Sequence, residues 1–231
     1  MTKLPDLSSA DLAALLASRL CHDIISPVFG IQSGLELLDD MPDDKEAHGL
    51  MRSSLKCAVA RLQMARIAFG AAGAQTSNFD LNEAKQAASG YMEHEKASLV
   101  WEGQHGYVPK NIAKIVLNLV VLASTAISRG GEVRVSVEQL EPPLIRVKAT
   151  GERIRVHSRF IALLEGTSVE QIDAQAIQPY YTLFLADQAG LQVTMQPGEG
   201  SVTFLVAPKA AAEPVAAAGA VSSNLSPVSE R

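Results

Sequence analysis

A histidine, a carboxylate, a hydroxyl and a proline occur within six residues near the N-terminus, in the segment His22-Asp-Ile-Ile-Ser-Pro27. A neutral imidazole can attack an electrophile with one ring nitrogen while a nearby carboxylate holds the proton on the other. On a helix, Asp23 lies about 100° around the axis from His22, close enough to bend toward the ring. A metal site is less favoured, because no second ligand lies three or four residues from His22 on the same face.

The apolar pattern of the surrounding helix predicts where His22 points. Measured from His22, the apolar side lies about 160–200° around the helix axis and contains Ala13, Leu20, Ile24, Ile31 and Leu38. Within about 40° of His22 by the same count are Leu15, Ser18, Ser26 and Phe29. The sequence therefore predicts an exposed histidine between two hydroxyls and two apolar side chains. An exposed histidine without a function is the plain alternative.

Two long helices must carry this histidine. Ser8 and Asp11 have the spacing of a helix start, and Pro27 predicts a kink rather than an end because the apolar pattern resumes after it. The acidic segment 39–44 predicts the turn, and a second helix is expected from about Asp44 to Phe69. Such a hairpin exposes much apolar surface, so we predict a homodimer with a four-helix bundle. Packing of the hairpin on its own chain is the alternative.

The rest of the chain predicts a mixed α/β segment. Alternating strands and helices occupy residues 77–208, after a Gly/Ala/Ser-containing linker, and residues 209–231 have the Ala/Pro/Ser-rich composition of a disordered tail. The predicted fold class is α+β, with a helical-hairpin domain at residues 1–76 and an α/β sandwich domain at residues 77–208.

Composition excludes several classes of protein. The net charge of −5 over 231 residues argues against a nucleic-acid partner. Cys21 and Cys57 have neither zinc-ligand spacing nor the pattern of a disulfide framework. The sequence lacks the pattern of a signal peptide or membrane span, so we expect a cytoplasmic protein with no membrane contact and no metal of its own.

The segment from His22 to Pro27 resembles the phosphoacceptor box of histidine-kinase dimerisation domains. There a histidine is followed by an acid, and a hydroxyl or amide residue precedes a proline. The resemblance implies that His22 is the phosphorylated residue, with Asp23 as the adjacent acid and Ser26 at the hydroxyl position. The order of segments, a helical hairpin and then an α/β segment, strengthens this resemblance.

The second segment is similar to the ATP-binding domain of those kinases, but it lacks the residues that hold the nucleotide. Asn118 matches the first asparagine of the kinase asparagine box, whereas the magnesium-binding fifth position is Leu122, which has no oxygen ligand. Gly151 remains from the next box, but its acid and second glycine are missing. Residues 176–190 replace the glycine-rich phosphate lid. The resemblance implies a retained fold with a dismantled ATP site.

This combination is similar to the ChpT-type histidine phosphotransferases of alphaproteobacterial phosphorelays. The resemblance implies a homodimer in bacterial two-component signalling, linked to the cell cycle, that does not phosphorylate itself from ATP. It implies that the receiver domain of a CckA-like hybrid histidine kinase donates the phosphoryl group. CtrA-like and CpdR-like response regulators would accept it. No cofactor is expected on this chain, because the Mg²⁺ of the reaction would be supplied by the partner receiver domain.

In this interpretation His22, Asp23 and Ser26 are catalytic, while the partner docks on Leu15, Ser18, Arg19 and Phe29. Bundle packing for Leu15, a solvated Arg19 and a plain surface Ser26 are the alternatives at those positions. Two other functions stay open. The chain would be an ATP-dependent histidine kinase if it binds nucleotide, or a non-enzymatic pseudokinase scaffold if His22 is not needed.

Overall fold

The computed structural model describes residues 4–70, 78–167 and 172–209. Two long helices, α1 and α2, form an N-terminal hairpin, and a sheet domain follows it. The helices are α1 Ser9–Asp40, α2 Lys45–Ala68, α3 Leu81–Met92, α4 Lys110–Ala126, α5 Ser158–Glu165 and α6 Ile177–Gln188. The strands are β1 Asn78–Asp80, β2 Ala97–Gly103, β3 Tyr107–Pro109, β4 Gly131–Leu140, β5 Pro143–Thr150, β6 Leu191–Gly198 and β7 Ser201–Pro208.

Both hairpin helices begin at capping residues. The Ser8 hydroxyl accepts a hydrogen bond from the Asp11 N–H at 3.1 Å, and the Asp44 carboxylate accepts one from the Glu46 N–H at 2.7 Å. These bonds satisfy N–H groups that have no partner within the first helical turn. The predicted helix starts are confirmed, and α1 continues through Pro27 as predicted.

Two glycines allow α1 and α2 to pack closely. A Cβ atom on Gly30 would lie 2.3 Å from the Ser54 Oγ, and one on Gly34 would lie 2.4 Å from the Met51 Cγ. A larger residue at either position requires the neighbouring side chains or the helices to shift, because those side chains already fill that space. The glycines therefore help to fix the register of the hairpin that presents His22.

The sheet domain has one covered face. Its five-stranded sheet has the order β2-β4-β5-β7-β6, with β2 and β4 parallel and the other pairs antiparallel. Alternate residues such as Val135 and Val147 are buried in the same core as Ile115 and Leu119 of α4, and Phe204 of β7 stacks on Phe160 of α5. A parallel pair needs a long crossover, and α4 forms part of the connection between β2 and β4.

Two features of the sheet domain differ from the sequence prediction. The two-stranded sheet of β1 and β3, in which Phe79 pairs with Val108, was not predicted because three-residue strands carry too little periodicity. The sequence pattern predicts a helix over about Val169 to Ala189, whereas in the described residues α6 begins at Ile177. Ahead of it Asp173 forms a turn by accepting bonds from the Gln175 and Ala176 N–H groups. Residues 71–77 of the predicted linker and 210–231 of the predicted tail lie outside the described residues.

The N-terminal half of α1 and the C-terminal end of α2 rest on the sheet domain. The rings of Phe69 and Tyr181 are 6.0 Å apart, and the Tyr180 hydroxyl donates a hydrogen bond to the Pro5 carbonyl at 3.0 Å. Leu12 and Leu16 of α1 pack against the sheet-domain core. The position of α1 is therefore coupled to the α/β domain by direct contacts.

The outer side of the hairpin is apolar and exposed in the single chain. The exposed apolar residues of these helices and their turn are Ile25, Val28, Phe29, Leu35, Leu37, Met41, Leu50, Leu55, Val59 and Leu62. Helix α1 also meets the length and composition criteria for a membrane span, with a mean hydropathy of 1.4. This is weak evidence for a membrane, because an amphipathic bundle helix can pass the same test. The apolar character of α1 nevertheless differs from the sequence-based expectation that no segment is apolar enough to span a membrane.

Candidate functional site

His22 lies in the middle of α1 and points into solvent. Its side chain is 79% exposed, as the helical pattern predicts. Ser18 and Ser26, one turn away on either side, are also exposed. A group on a partner protein can therefore approach the imidazole without a change in the fold.

Asp23 connects the imidazole to an arginine. The His22 Nδ1 and Asp23 Oδ1 atoms are 3.5 Å apart, and the Arg19 Nε donates a hydrogen bond to the Asp23 Oδ2 at 3.0 Å. A separation of 3.5 Å is long for a hydrogen bond, so the carboxylate acts on the ring chiefly through charge. A proton on Nδ1 faces this carboxylate, which leaves the Nε2 lone pair directed away from it.

The predicted docking residues fall into two groups. Phe29 is 57% exposed, whereas Leu15 is partly buried against the core that α2 and the sheet domain share. The Arg19 side chain is only 20% exposed and is paired with Asp23, so it is not a solvated arginine. Ile25, which the sequence analysis passed over, is exposed one turn before Phe29 and forms an apolar pair with it beside His22.

A second arginine, Arg61 of α2, reaches the backbone of the same segment. Its Nη1 donates a hydrogen bond to the Asp23 carbonyl oxygen at 3.0 Å, and its Nη2 lies 3.4 Å from the Glu95 Oε1. Its guanidinium carbon is 6.0 Å from the ring centre of Tyr91 on α3. Burial raises the pKa of Tyr91, and the nearby Glu95 carboxylate adds to this rise, so the phenol stays neutral. No sequence signal marked Arg61, because it is far from His22 along the chain.

Two side chains of the region that resembles a nucleotide site, Asn118 and Leu122, pack inside the domain. Asn118 is fully buried, its Nδ2 donates to the Lys114 carbonyl at 2.9 Å, and its Oδ1 accepts from the Gln178 Nε2 at 3.1 Å. Leu122 packs against the core. These two side chains do not fit a magnesium–nucleotide complex, because the one oxygen they offer is already hydrogen-bonded inside the domain.

Gly151 has a packing role in this region. A Cβ atom there would lie 2.9 Å from the Gly130 carbonyl oxygen and 3.0 Å from the Ile127 Cγ2. Its N–H donates to the Gly200 carbonyl at 3.1 Å. The close approach of these backbone segments explains a glycine at this position without a bound phosphate. In the described parts of the chain, no three His, Cys, Asp or Glu side chains are grouped to hold a metal ion.

Comparison with known proteins assigns the chain to a family. The family described as "Histidine phosphotransferase C-terminal domain" matches residues 81–201. The chain is 43% identical over 200 residues to the protein phosphotransferase ChpT of Brucella abortus (strain 2308), which covers 86% of this chain and 96% of that protein. The chain belongs to the ChpT family of histidine phosphotransferases. The resemblance found in the sequence is thereby confirmed.

Solved structures agree with the assignment of this histidine phosphotransferase. A bacterial phosphotransferase matches with a TM-score of 0.83 and 42% identity, over 88% of this chain and 100% of that chain. The histidine kinase AdeS of Acinetobacter baumannii matches with a TM-score of 0.45 and 10% identity, over 80% of this chain and 95% of that chain. The predicted α+β class, with an N-terminal helical hairpin followed by a sheet domain, is confirmed.

His22 differs from a second histidine that the structure describes in detail. The His157 Nδ1 accepts a hydrogen bond from the Arg159 N–H at 3.3 Å, so that ring caps α5. His22 instead combines high exposure, a neighbouring carboxylate and an adjacent apolar pair. Within a phosphotransferase these features suit a nucleophile that reacts with another protein.

Proposed function

We propose that this histidine phosphotransferase acts in a bacterial phosphorelay, taking a phosphoryl group onto His22 and passing it to a second protein. The observation that carries the proposal is the exposed imidazole beside Asp23 in a chain of this family. The donor is the aspartyl-phosphate of a receiver domain, and the acceptor is the aspartate of a response regulator. CckA-like, CtrA-like and CpdR-like partners in the cytoplasm follow from the family resemblance.

The proposed reaction is a reversible in-line displacement. The Nε2 lone pair of His22 forms the N–P bond while the P–O bond to the receiver aspartate breaks, and the aspartate leaves as a carboxylate. The Nδ1 atom keeps its proton, so the positive charge that develops on the ring faces the Asp23 carboxylate at 3.5 Å. The receiver's Mg²⁺ neutralises the phosphoryl oxygens, so no metal is needed on this chain.

The surface around His22 supports docking of a receiver. Ile25 and Phe29 offer an exposed apolar contact next to the reactive ring, and the exposed Ser18 and Ser26 hydroxyls flank it. The Ser26 hydroxyl is placed one turn from His22, where it can donate a hydrogen bond to a phosphoryl oxygen. Catalysis by this chain then consists mainly of positioning.

The exposed apolar side of the hairpin supports a homodimer. Leu55, Val59 and Leu62 form a stripe on α2 with steps of four and three, and Val28 and Leu35 of α1 are seven residues apart. This is the spacing of a bundle seam. A second copy would cover these side chains as a four-helix bundle and leave the His22 face open. Leu55→Glu together with Leu62→Glu should convert the dimer to a monomer in size-exclusion chromatography with light scattering.

One labelling experiment distinguishes the proposed phosphotransferase from a non-enzymatic scaffold. A receiver domain loaded with radiolabelled phosphate is mixed with the wild type, with His22→Ala and with the control His48→Ala. We expect an acid-labile label on the wild type and the control, and none on His22→Ala. Absence of label from the wild type would contradict the phosphotransferase proposal. Activity retained in the cell by His22→Ala would favour the scaffold.

The ATP-dependent kinase is tested with the same proteins. We expect no self-labelling from radiolabelled ATP and no rise in Tm when Mg²⁺ and ATP are added, because Asn118 is occupied and Leu122 offers no ligand. A kinase would label itself on His22 without any receiver domain. That result would replace the relay with ATP-driven phosphorylation.

A further inference from the structure

Pro27 leaves a backbone acceptor without its helical partner next to His22. In an α-helix the N–H of each residue donates to the carbonyl four positions earlier, and proline has no N–H. The acceptor four positions before Pro27 is the carbonyl of Asp23, the residue that follows His22. Pro27 itself is buried, so this turn of α1 has a side that faces the rest of the chain.

Arg61 supplies the missing donor. Its Nη1 lies 3.0 Å from the Asp23 carbonyl oxygen, so an α2 side chain replaces the backbone bond that α1 cannot make. The Arg61 side chain is 26% exposed and Glu95, its second partner, is 25% exposed. A charged donor in such a partly buried position forms a stronger hydrogen bond than a neutral one.

The same guanidinium reaches the α/β domain. Glu95 follows α3 and accepts from the Arg61 Nη2, while Tyr91 of α3 presents its ring to the guanidinium. Arg61 therefore joins the kinked turn of α1 to α2 and to the end of α3. This junction is close to His22 but leaves the imidazole clear, because the His22 side chain is 79% exposed.

We propose that Arg61 is a positioning residue for phosphotransfer: by holding the Asp23 carbonyl that Pro27 leaves free, it fixes the direction of His22 relative to a docked receiver domain. This inference rests on the proposed function of His22. Without Arg61, the turn from Asp23 to Pro27 has one free carbonyl and one fewer tie to α3. The helix then samples other kink angles, and the imidazole moves away from the line of attack.

This role predicts a defined kinetic signature. An error of about 1 Å in a reacting group can lower a rate by about 100-fold, whereas docking depends on the whole contact surface. Arg61→Gln should therefore lower kcat for transfer from a phosphorylated receiver by about 10- to 100-fold, with KM for the receiver within about twofold. Phosphorylation by phosphoramidate, a small donor that needs no docking, should stay within about twofold of wild type because the ring itself is unchanged.

The experiment uses the full chain with Arg61→Gln, Arg61→Lys and the control Arg66→Gln, an exposed arginine of the same helix. Lysine keeps a charged donor, so Arg61→Lys should recover part of kcat. The Pro27→Ala variant restores an N–H for the Asp23 carbonyl. When Pro27→Ala is already present, adding Arg61→Gln should change kcat much less than it does in the wild type. The comparison of Pro27→Ala with the double variant also tests the inference if Arg61→Gln alone folds poorly.

The outcomes separate this inference from the proposed function. If wild-type protein takes no label on His22 from the receiver, the proposed function fails. If wild type is labelled but Arg61→Gln behaves like Arg66→Gln, only the positioning role is wrong. Equal losses with phosphoramidate and with the receiver would show a general structural role and overturn the inference. Equal effects of Arg61→Gln with and without Pro27 would also overturn it.

Discussion

The buried amide of Asn118 allows a quantitative test of how the ATP-domain fold has been reused. Asn118→Leu keeps the branched shape of the side chain and adds some volume, but removes its hydrogen bonds. The Gln178 Nε2, now 3.1 Å from the Asn118 Oδ1, would lose its acceptor in a site where Gln178 is 5% exposed. An unpaired buried amide costs about 1–3 kcal/mol.

The other bonds of Asn118 add less to the expected cost. The Lys114 carbonyl, at 2.9 Å, belongs to the preceding turn of α4 and keeps its helical partner. The Ala68 carbonyl at the end of α2 is 3.5 Å away, a long contact. We therefore expect a loss of about 2–3 kcal/mol in the free energy of unfolding. For a chain of this size that corresponds to a fall of about 4–12 °C in Tm.

Urea unfolding followed by circular dichroism measures this change. The exposed control Thr125→Ala on the same helix should stay within about 0.5 kcal/mol of wild type. Replacing both partners, Asn118→Leu with Gln178→Leu, should cost at least about 1 kcal/mol less than the sum of the single changes, because no unpaired amide remains. A loss below about 0.5 kcal/mol, or strictly additive single changes, would refute a structural role for Asn118.

Three further predictions concern stability. Gly34→Ala should lower the free energy of unfolding by about 1–3 kcal/mol, because the new methyl group would lie 2.4 Å from the Met51 Cγ; an unchanged urea midpoint would contradict this close packing. The hydrogen bond from Arg159, together with two backbone N–H groups, lowers the pKa of Asp173 below 3.8. Asp173→Ala should therefore cost about 1 kcal/mol at pH 7. This cost should shrink as the pH falls from 3.8 through the lowered folded pKa, as acid titration of both proteins would show. Burial and the charge of Lys110 lower the pKa of Lys114 below 10.5, so the charged form weakens the fold at neutral pH. Lys114→Met should raise Tm at pH 7, and the difference in Tm from the wild type should become smaller as the pH rises toward 10.5. A difference in Tm that grows with pH would show that the buried charge of Lys114 does not cause the destabilisation.

Local sequence signals predicted the hairpin well. Ser8 and Asp44 are helix caps, and a cap acts on N–H groups two or three residues away, so its effect can be recognised in a short segment. The direction of His22 also follows from one helix, because about 3.6 residues per turn fix which side chains share a face. The three-residue strands β1 and β3 had no such signal.

The partners of individual side chains depended on distant parts of the chain. Arg19 was expected to reach a receiver or stand in solvent, but it is paired with Asp23 and mostly covered. Leu15 faces the same side as His22 by helical count, yet it packs on the sheet-domain core. The Arg19–Asp23 pair is four residues apart on one helix, so it could have been predicted from the sequence. The burial of Leu15 could not, because the packing of other elements decides which part of a helix face remains exposed.

The sequence by itself determined the chemistry that is available: a histidine, a neighbouring acid and a proline on an amphipathic helix, followed by a domain that has Leu122 at the magnesium-binding position of the resembling kinases. The tertiary structure decided how that chemistry is held. Arg61 meets the Asp23 carbonyl across 38 residues, and Asn118 meets Gln178 across 60. The physical reason is the distance along the chain over which each interaction acts. Helix propensity and hydrophobic periodicity act over one or two helical turns. Hydrogen bonds between elements form only after packing has brought those elements together.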